Sequence, residues 1–182
     1  MSVKIIKNFS LFLILIGGIS GCVCSENDLP AANLVDDNRI EGLYFSEIGG
    51  NRSDIRIEKV HGQKGLYKQT EFDSEGNIRP PGSILIKLFK VGDLLIASTK
   101  LVNEKYGFSK VGITGNKITS QPLNQNWFKR NPGVLAIKPN TDKLNTSILL
   151  TANSEKLALF FRLKGDDGNI FLSEASMIQR AK

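Results

Sequence analysis

The sequence predicts a mainly β domain, an antiparallel meander closed as a barrel or stacked as a sandwich, with one C-terminal helix at about 153–164 before a last strand. Three observations predict it. From Arg39 onward, short apolar stretches recur at a spacing of roughly 8–12 residues, as in all-β domains. Glycine, asparagine and aspartate separate them: Gly49-Gly50-Asn51, Gly62-Gln63-Lys64-Gly65, Asp73-Ser74-Glu75-Gly76-Asn77, Gly92-Asp93 and Gly115-Asn116. These residues tolerate positive φ or make local side-chain turns. Only one late segment carries helical spacing together with end signals.

Strands fit 40–47, 54–60, 65–72, 83–91, 93–101, 106–113 and 117–121. Ile55 and Ile57 alternate with Arg56 and Glu58, as a half-buried strand requires. Ser83 to Val91 is nearly apolar and predicts a central strand, with Pro80-Pro81 as a stiff entry, because proline is excluded from a central ladder. Asn124 to Asn131 predicts a helical turn ended by Pro132-Gly133, and two strands fit 134–138 and 145–151. The helix takes Asn153 or Ser154 as its N-cap and Glu155 in its first turn. Leu157, Phe160 and Phe161 form one apolar stripe, and Gly165 sits where a C′ glycine belongs. After the turn Asp166-Asp167-Gly168-Asn169, strands fit 170–172 and 174–180.

The N-terminus reads as an address. Lys4 and Lys7 precede an apolar run from Phe9 to Ile19, with no acid before it. A positive start, a short apolar run and small residues at a cleavage point make a secretory signal peptide. The run is too short to cross a bilayer, which needs about 20 apolar residues. Ile19-Ser20-Gly21-Cys22 resembles the lipobox of bacterial lipoproteins. That resemblance implies cleavage between Gly21 and Cys22, diacylglycerol on the Cys22 sulfur and N-acylation of the new terminus. Val23, not aspartate, follows Cys22; by resemblance to Gram-negative lipoproteins this implies the outer membrane, facing the periplasm. The organisation expected is therefore a signal peptide over 1–21, a lipidated cysteine and flexible tether over 22–38, and a single β-rich domain over 39–182.

Removing residues 1–21, with two lysines and no acid, takes the formal charge from +6 to +4. That mild balance suits an anionic lipid surface and is no nucleic-acid footprint. Cys22 and Cys24 are the only cysteines. With Cys22 lipidated, Cys24 is left either free or bridging two chains, and the fold draws no support from disulfides.

Gly42-Leu43-Tyr44 in the first strand, the meander, the late helix and the closing strand resemble a lipocalin-type barrel. Lipocalins usually show Gly-x-Trp there, with a late basic residue packed across the ring; here the resemblance implies Tyr44 and Arg180 in those roles. The chain also resembles small bacterial lipoproteins of unassigned function.

Residues for chemistry are scarce. His61, the only histidine, lies in a Gly-rich turn, and no HExxH or CxxC pair supplies zinc ligands. No serine sits in a Gly-x-Ser-x-Gly elbow, and no phosphate-cradling motif occurs. The acidic turns at 73–77 and 166–169 lack the ligand series of a calcium loop. Trp127-Phe128-Lys129-Arg130 reads either as an aromatic cap on the core with wet cations or as a lipid-facing patch. The expectation is a non-enzymatic, lipid-anchored envelope protein with no cofactor. It binds a small apolar ligand in its interior or docks an envelope protein partner.

Overall fold

The computed structural model describes residues 23–48, 51–101, 104–139, 148–173 and 176–181. The signal segment, Gly21 and Cys22 lie outside the described residues, as do Gly49-Gly50, 145–147 of one expected strand and 174–175 of another.

Among the described residues eleven strands form: β1 (Val23–Ser25), β2 (Gly42–Ile48), β3 (Asn51–Lys59), β4 (Leu66–Phe72), β5 (Ile78–Val91), β6 (Leu94–Lys100), β7 (Tyr106–Thr114), β8 (Lys117–Pro122), β9 (Ile137–Pro139), β10 (Ile148–Leu150) and β11 (Ser176–Arg180). Two helices, α1 (Gln125–Arg130) and α2 (Ser154–Lys164), accompany them. Strands β2 to β8 pair antiparallel in chain order, and β11 inserts between β8 and β2. With β6 also paired to β7, eight strands close on themselves. The result is a lipocalin-like barrel; the sandwich alternative is excluded because the ring has no free edge.

Asn153 caps α2 by accepting from the Lys156 N–H at 3.0 Å. Leu157, Phe160 and Phe161 pack outside the barrel against the outer face of β5, β6 and β7, with Phe108 edge-on to Phe161 at 5.7 Å. The barrel encloses a second, separate core of Tyr44, Ile55, Ile57, Tyr67, Leu88 and neighbours.

Four expectations need correction. The segment 23–38 is no tether. Val23, Cys24 and Ser25 form β1, paired antiparallel with β7 and parallel with β10. Leu29 is buried, and Asp28 holds Lys87 Nζ at 2.8 Å and Ser98 Oγ at 2.7 Å. Its apolar residues show no period because they dock singly, some outside the barrel and some, such as Val35, under its end. Second, β5 begins at Ile78, not Ser83. The ladder with β4 skips from Thr70↔Ser83 to Phe72↔Ile78, so both prolines sit in an irregularity, and β6 pairs only from Ile86. Third, 170–172 makes a single bridge, Leu123↔Phe171, rather than a strand. Fourth, Gly165 has φ −64°, an ordinary helical value, instead of a left-handed cap. Glycine is required there by space: a Cβ would lie 1.8 Å from Leu94 Cδ1 and 2.4 Å from the Phe161 carbonyl oxygen.

Candidate functional site

Six of the eight ring strands change character along their inner face. Tyr44 gives way to Ser46 on β2, Ile57 and Ile55 to Ser53 on β3, and Tyr67 to Gln69 and Glu71 on β4. Ala97 gives way to Thr99 on β6, Val111 to Ser109 on β7 and Ile118 to Ser120 on β8. In every case the polar residue lies toward the same end, that of the 48–51, 72–78 and 100–106 connections. The interior is therefore apolar at one end and polar at the other.

The apolar end is closed from below by residues 34–41. Leu34 bridges Phe89, the Val35 N–H donates to the Leu88 carbonyl at 3.0 Å, and Ile40 joins the inner core. Asp36 accepts from Lys59 Nζ at 2.7 Å and from the Gly65 N–H at 2.8 Å; these bonds hold its carboxyl below the usual range. The Asp37 N–H donates to the Tyr67 hydroxyl at 2.7 Å. Burial pushes the Tyr67 hydroxyl above its ordinary pKa.

Tyr44 and Arg180 meet at this same end, as the resemblance implied. The guanidinium lies 5.5 Å from the Tyr44 ring centroid, and its Nη2 donates to the Tyr44 hydroxyl at 3.2 Å and to the Arg39 and Glu41 carbonyls. Gly42 makes room for it. Its φ is +145°, and a Cβ would sit 3.3 Å from both Arg180 Nε and Nη2. The Gly-x-Tyr motif and Arg180 thus clasp the β2–β11 seam that closes the ring.

The polar end differs in one respect. Gln69 and Glu71 are each 1% exposed, yet among the described residues no group is placed to hydrogen-bond either Gln69 side-chain atom or either Glu71 carboxyl oxygen. The Ser53 hydroxyl and Arg79 Nε are in the same condition. Arg79 Nε stands 3.7 Å from Glu71 Oε1, close enough to attract and too far to hydrogen-bond. Burial raises the Glu71 pKa, while the nearby Ser53 hydroxyl and Arg79 charge partly oppose the shift. Buried polar side chains almost always find a partner, so this group stands apart from the rest of the barrel interior.

The other residues singled out fall elsewhere. His61 is exposed in the 60–65 turn, and among the described residues no three His, Cys, Asp or Glu converge on a metal position. Phe128 is fully buried and Trp127 packs on it and on Phe160, leaving Lys129 and Arg130 exposed. The aromatic pair thus belongs to the core. The Cys24 thiol is buried and points at the Ile148 carbonyl, 3.7 Å away. Cys22 lies outside the described residues. Among those described, no helix is long and apolar enough to cross a membrane.

Sequence reasoning missed Gln69, Glu71 and Ser53. The signal was present: Tyr67, Gln69 and Glu71 share one parity, so an inward Tyr67 carries both polar residues inward. No protein-family model, no curated protein and no solved structure matches this chain.

Proposed function

We propose that this chain is a lipid-anchored lipoprotein of the cell envelope, non-enzymatic, whose barrel receives one small ligand at its polar end. The buried Gln69–Glu71 pair, which has no hydrogen bond among the described residues, carries this reading. Each buried polar group without a bond costs about 1–3 kcal/mol, so a molecule that completes those bonds gains what the fold forgoes. The apolar half of the interior is already occupied by Tyr44, Tyr67 and the isoleucines. A purely apolar ligand therefore fits the site less well than one carrying a hydrogen-bonding group. The anchor rests on Ile19-Ser20-Gly21-Cys22, and the outer-membrane, periplasm-facing location on Val23 after it.

Native mass spectrometry of protein purified from its own cells tests the ligand. A retained small molecule is expected in the wild type and absent from Gln69→Leu/Glu71→Leu, which removes the unpartnered groups but keeps comparable volume. Identical spectra from the two proteins overturn the reading. A second reading, docking of an envelope protein, is favoured by Leu159 and Leu163. They stand one turn apart on α2 at 44% and 69% exposure. Cross-linking in whole cells, comparing wild type with Leu159→Ser/Leu163→Ser, tests it.

A further inference from the structure

We propose that the barrel is held directly on the bilayer, with no slack between anchor and fold, and that a basic lobe made of β1, β10, β9 and α1 faces anionic lipid headgroups. This inference rests on the lipid-anchor reading of Cys22.

The first observation is where the fold starts. Val23, Cys24 and Ser25 are 5%, 3% and 0% exposed and belong to a strand paired along both edges, Val23 with Ile148 on one side and Cys24 with Gly107 on the other. The residue assigned the lipid is thus one peptide bond from a fixed strand. Had residues 23–38 been a free chain, they would have reached about 50 Å at roughly 3.3 Å per residue. With β1 in the sheet that reach is gone. The surface around Val23 must then lie at the headgroups whenever the acyl chains are in the membrane.

The second observation is charge. β1 is flanked by β10, which pairs with β9 and is touched by α1. Lys129 and Arg130 of α1 and Lys138 of β9 are exposed; the four elements contain no aspartate or glutamate, and exposed Glu26, which follows β1 and whose N–H donates to the Leu150 carbonyl, leaves these three cations in excess. A Lys or Arg is attracted to an anionic bilayer only at close range, because the effect fades within a Debye length of about 8 Å at physiological salt. Cations placed there act only if the domain stays close, and the missing tether keeps it close. Together, one anchor and one basic patch fix an orientation that either alone would leave loose.

Trp127, the only tryptophan, lies in α1 and reports on this lobe. The test uses the mature lipidated protein in vesicles of zwitterionic and anionic phospholipid bearing a headgroup acceptor for tryptophan emission. One variant carries a Gly/Ser linker the length of the 23–38 segment between Cys22 and Val23; such a linker adds a root-mean-square reach of about 20–24 Å. A second is Lys129→Glu/Arg130→Glu/Lys138→Glu. All three proteins should float with the vesicles, with energy transfer strong in the wild type and several-fold weaker in both variants. Thermolysin should release the barrel only from the linker variant. Transfer that is insensitive to the linker or to charge reversal overturns the inference while leaving the anchor intact. A wild type that does not float, with its Cys22 sulfur bare by intact mass, removes the anchor reading itself and this inference with it.

Discussion

Replacing Arg180 with alanine should open the seam that closes the barrel, and its cost can be worked from the geometry. The guanidinium stacks on Tyr44 at 5.5 Å, a contact that contributes about 0.5–1 kcal/mol where it is exposed. It also donates to the Arg39 and Glu41 carbonyls and the Tyr44 hydroxyl. Hydrogen bonds from a charged donor contribute about 1.5–3 kcal/mol when buried, but Arg180 is exposed and water takes back most of that. The net expectation is a loss of about 2–3 kcal/mol, or a fall in Tm of about 5–10 °C for a domain of this size.

Arg180→Lys keeps the charge but loses the planar stack and the fork of donors, and should fall between the two. Gly42→Ala adds a backbone component, because φ +145° is open only to glycine at little cost, at about 1–3 kcal/mol. Its Cβ also presses on Arg180. In the double variant Gly42→Ala/Arg180→Ala that pressure disappears, so the combined loss should be smaller than the two single losses added, by about 0.5 kcal/mol or more. Urea unfolding of the parent and the four variants, with Cys22→Ser throughout for solubility, measures all of this. An Arg180→Ala protein within about 0.5 kcal/mol of the parent, the range of an ordinary surface substitution, would refute the clasp.

Three further outcomes follow from single sites. Glu71 binds its proton more tightly folded than unfolded, so its contribution is fully present below the ordinary carboxylate pKa and is lost as pH rises through the raised folded value. Glu71→Gln should therefore stabilise the protein at neutral pH and leave it little changed in acid; urea midpoints at the two pH values check this, and equal shifts at both would count against it. Gly165→Ala should cost about 1–3 kcal/mol although its backbone is helical, because the Phe161 carbonyl 2.4 Å from the new Cβ cannot swing away as the Leu94 side chain can; thermal unfolding reads it. Cys24 should resist thiol reagents until the protein unfolds, and Cys24→Ser should leave the mass in solution unchanged, since a strand residue at 3% exposure cannot reach a second chain.

Much of the barrel is legible in the sequence because its hairpins are short and marked. The turns at 60–65, 92–93 and 115–116 fall where glycine interrupts alternating runs, and each strand boundary follows within a few residues. The α2 helix is legible from Asn153 and the Leu157–Phe160–Phe161 spacing. What is not legible is whatever depends on distant partners. Nothing local tells that Val23–Ser25 will be zipped between Gly107 and Ile148, more than eighty residues away. Nor does local pattern reveal which face of β4 points inward: Gln69 and Glu71 read as a wet face until the ring closes around them. The Tyr44–Arg180 contact was legible only through the family resemblance, since no spacing rule joins residues 136 apart.

The two ends of the barrel explain each other energetically. Among the described residues, six side-chain atoms, on Ser53, Gln69, Glu71 and Arg79, have no hydrogen bond. At about 1 kcal/mol apiece, the low end of the usual penalty, they would consume a large share of the 5–15 kcal/mol by which domains are stable. A fold can carry that only if other parts over-stabilise it. Contacts away from that end offset the cost: the Tyr44–Arg180 clasp, the plug of residues 34–41 and the aromatic cluster that Phe160 and Phe161 of α2 form with Phe108 and Phe171. On the ligand reading proposed above, an occupant of the polar end would recover the forgone bonds while the clasped end keeps its contacts, which is what preorganisation requires. That reading predicts that substitutions which relieve the polar end gain stability and lose the retained mass in native spectra together, whereas damage to the clasp lowers both.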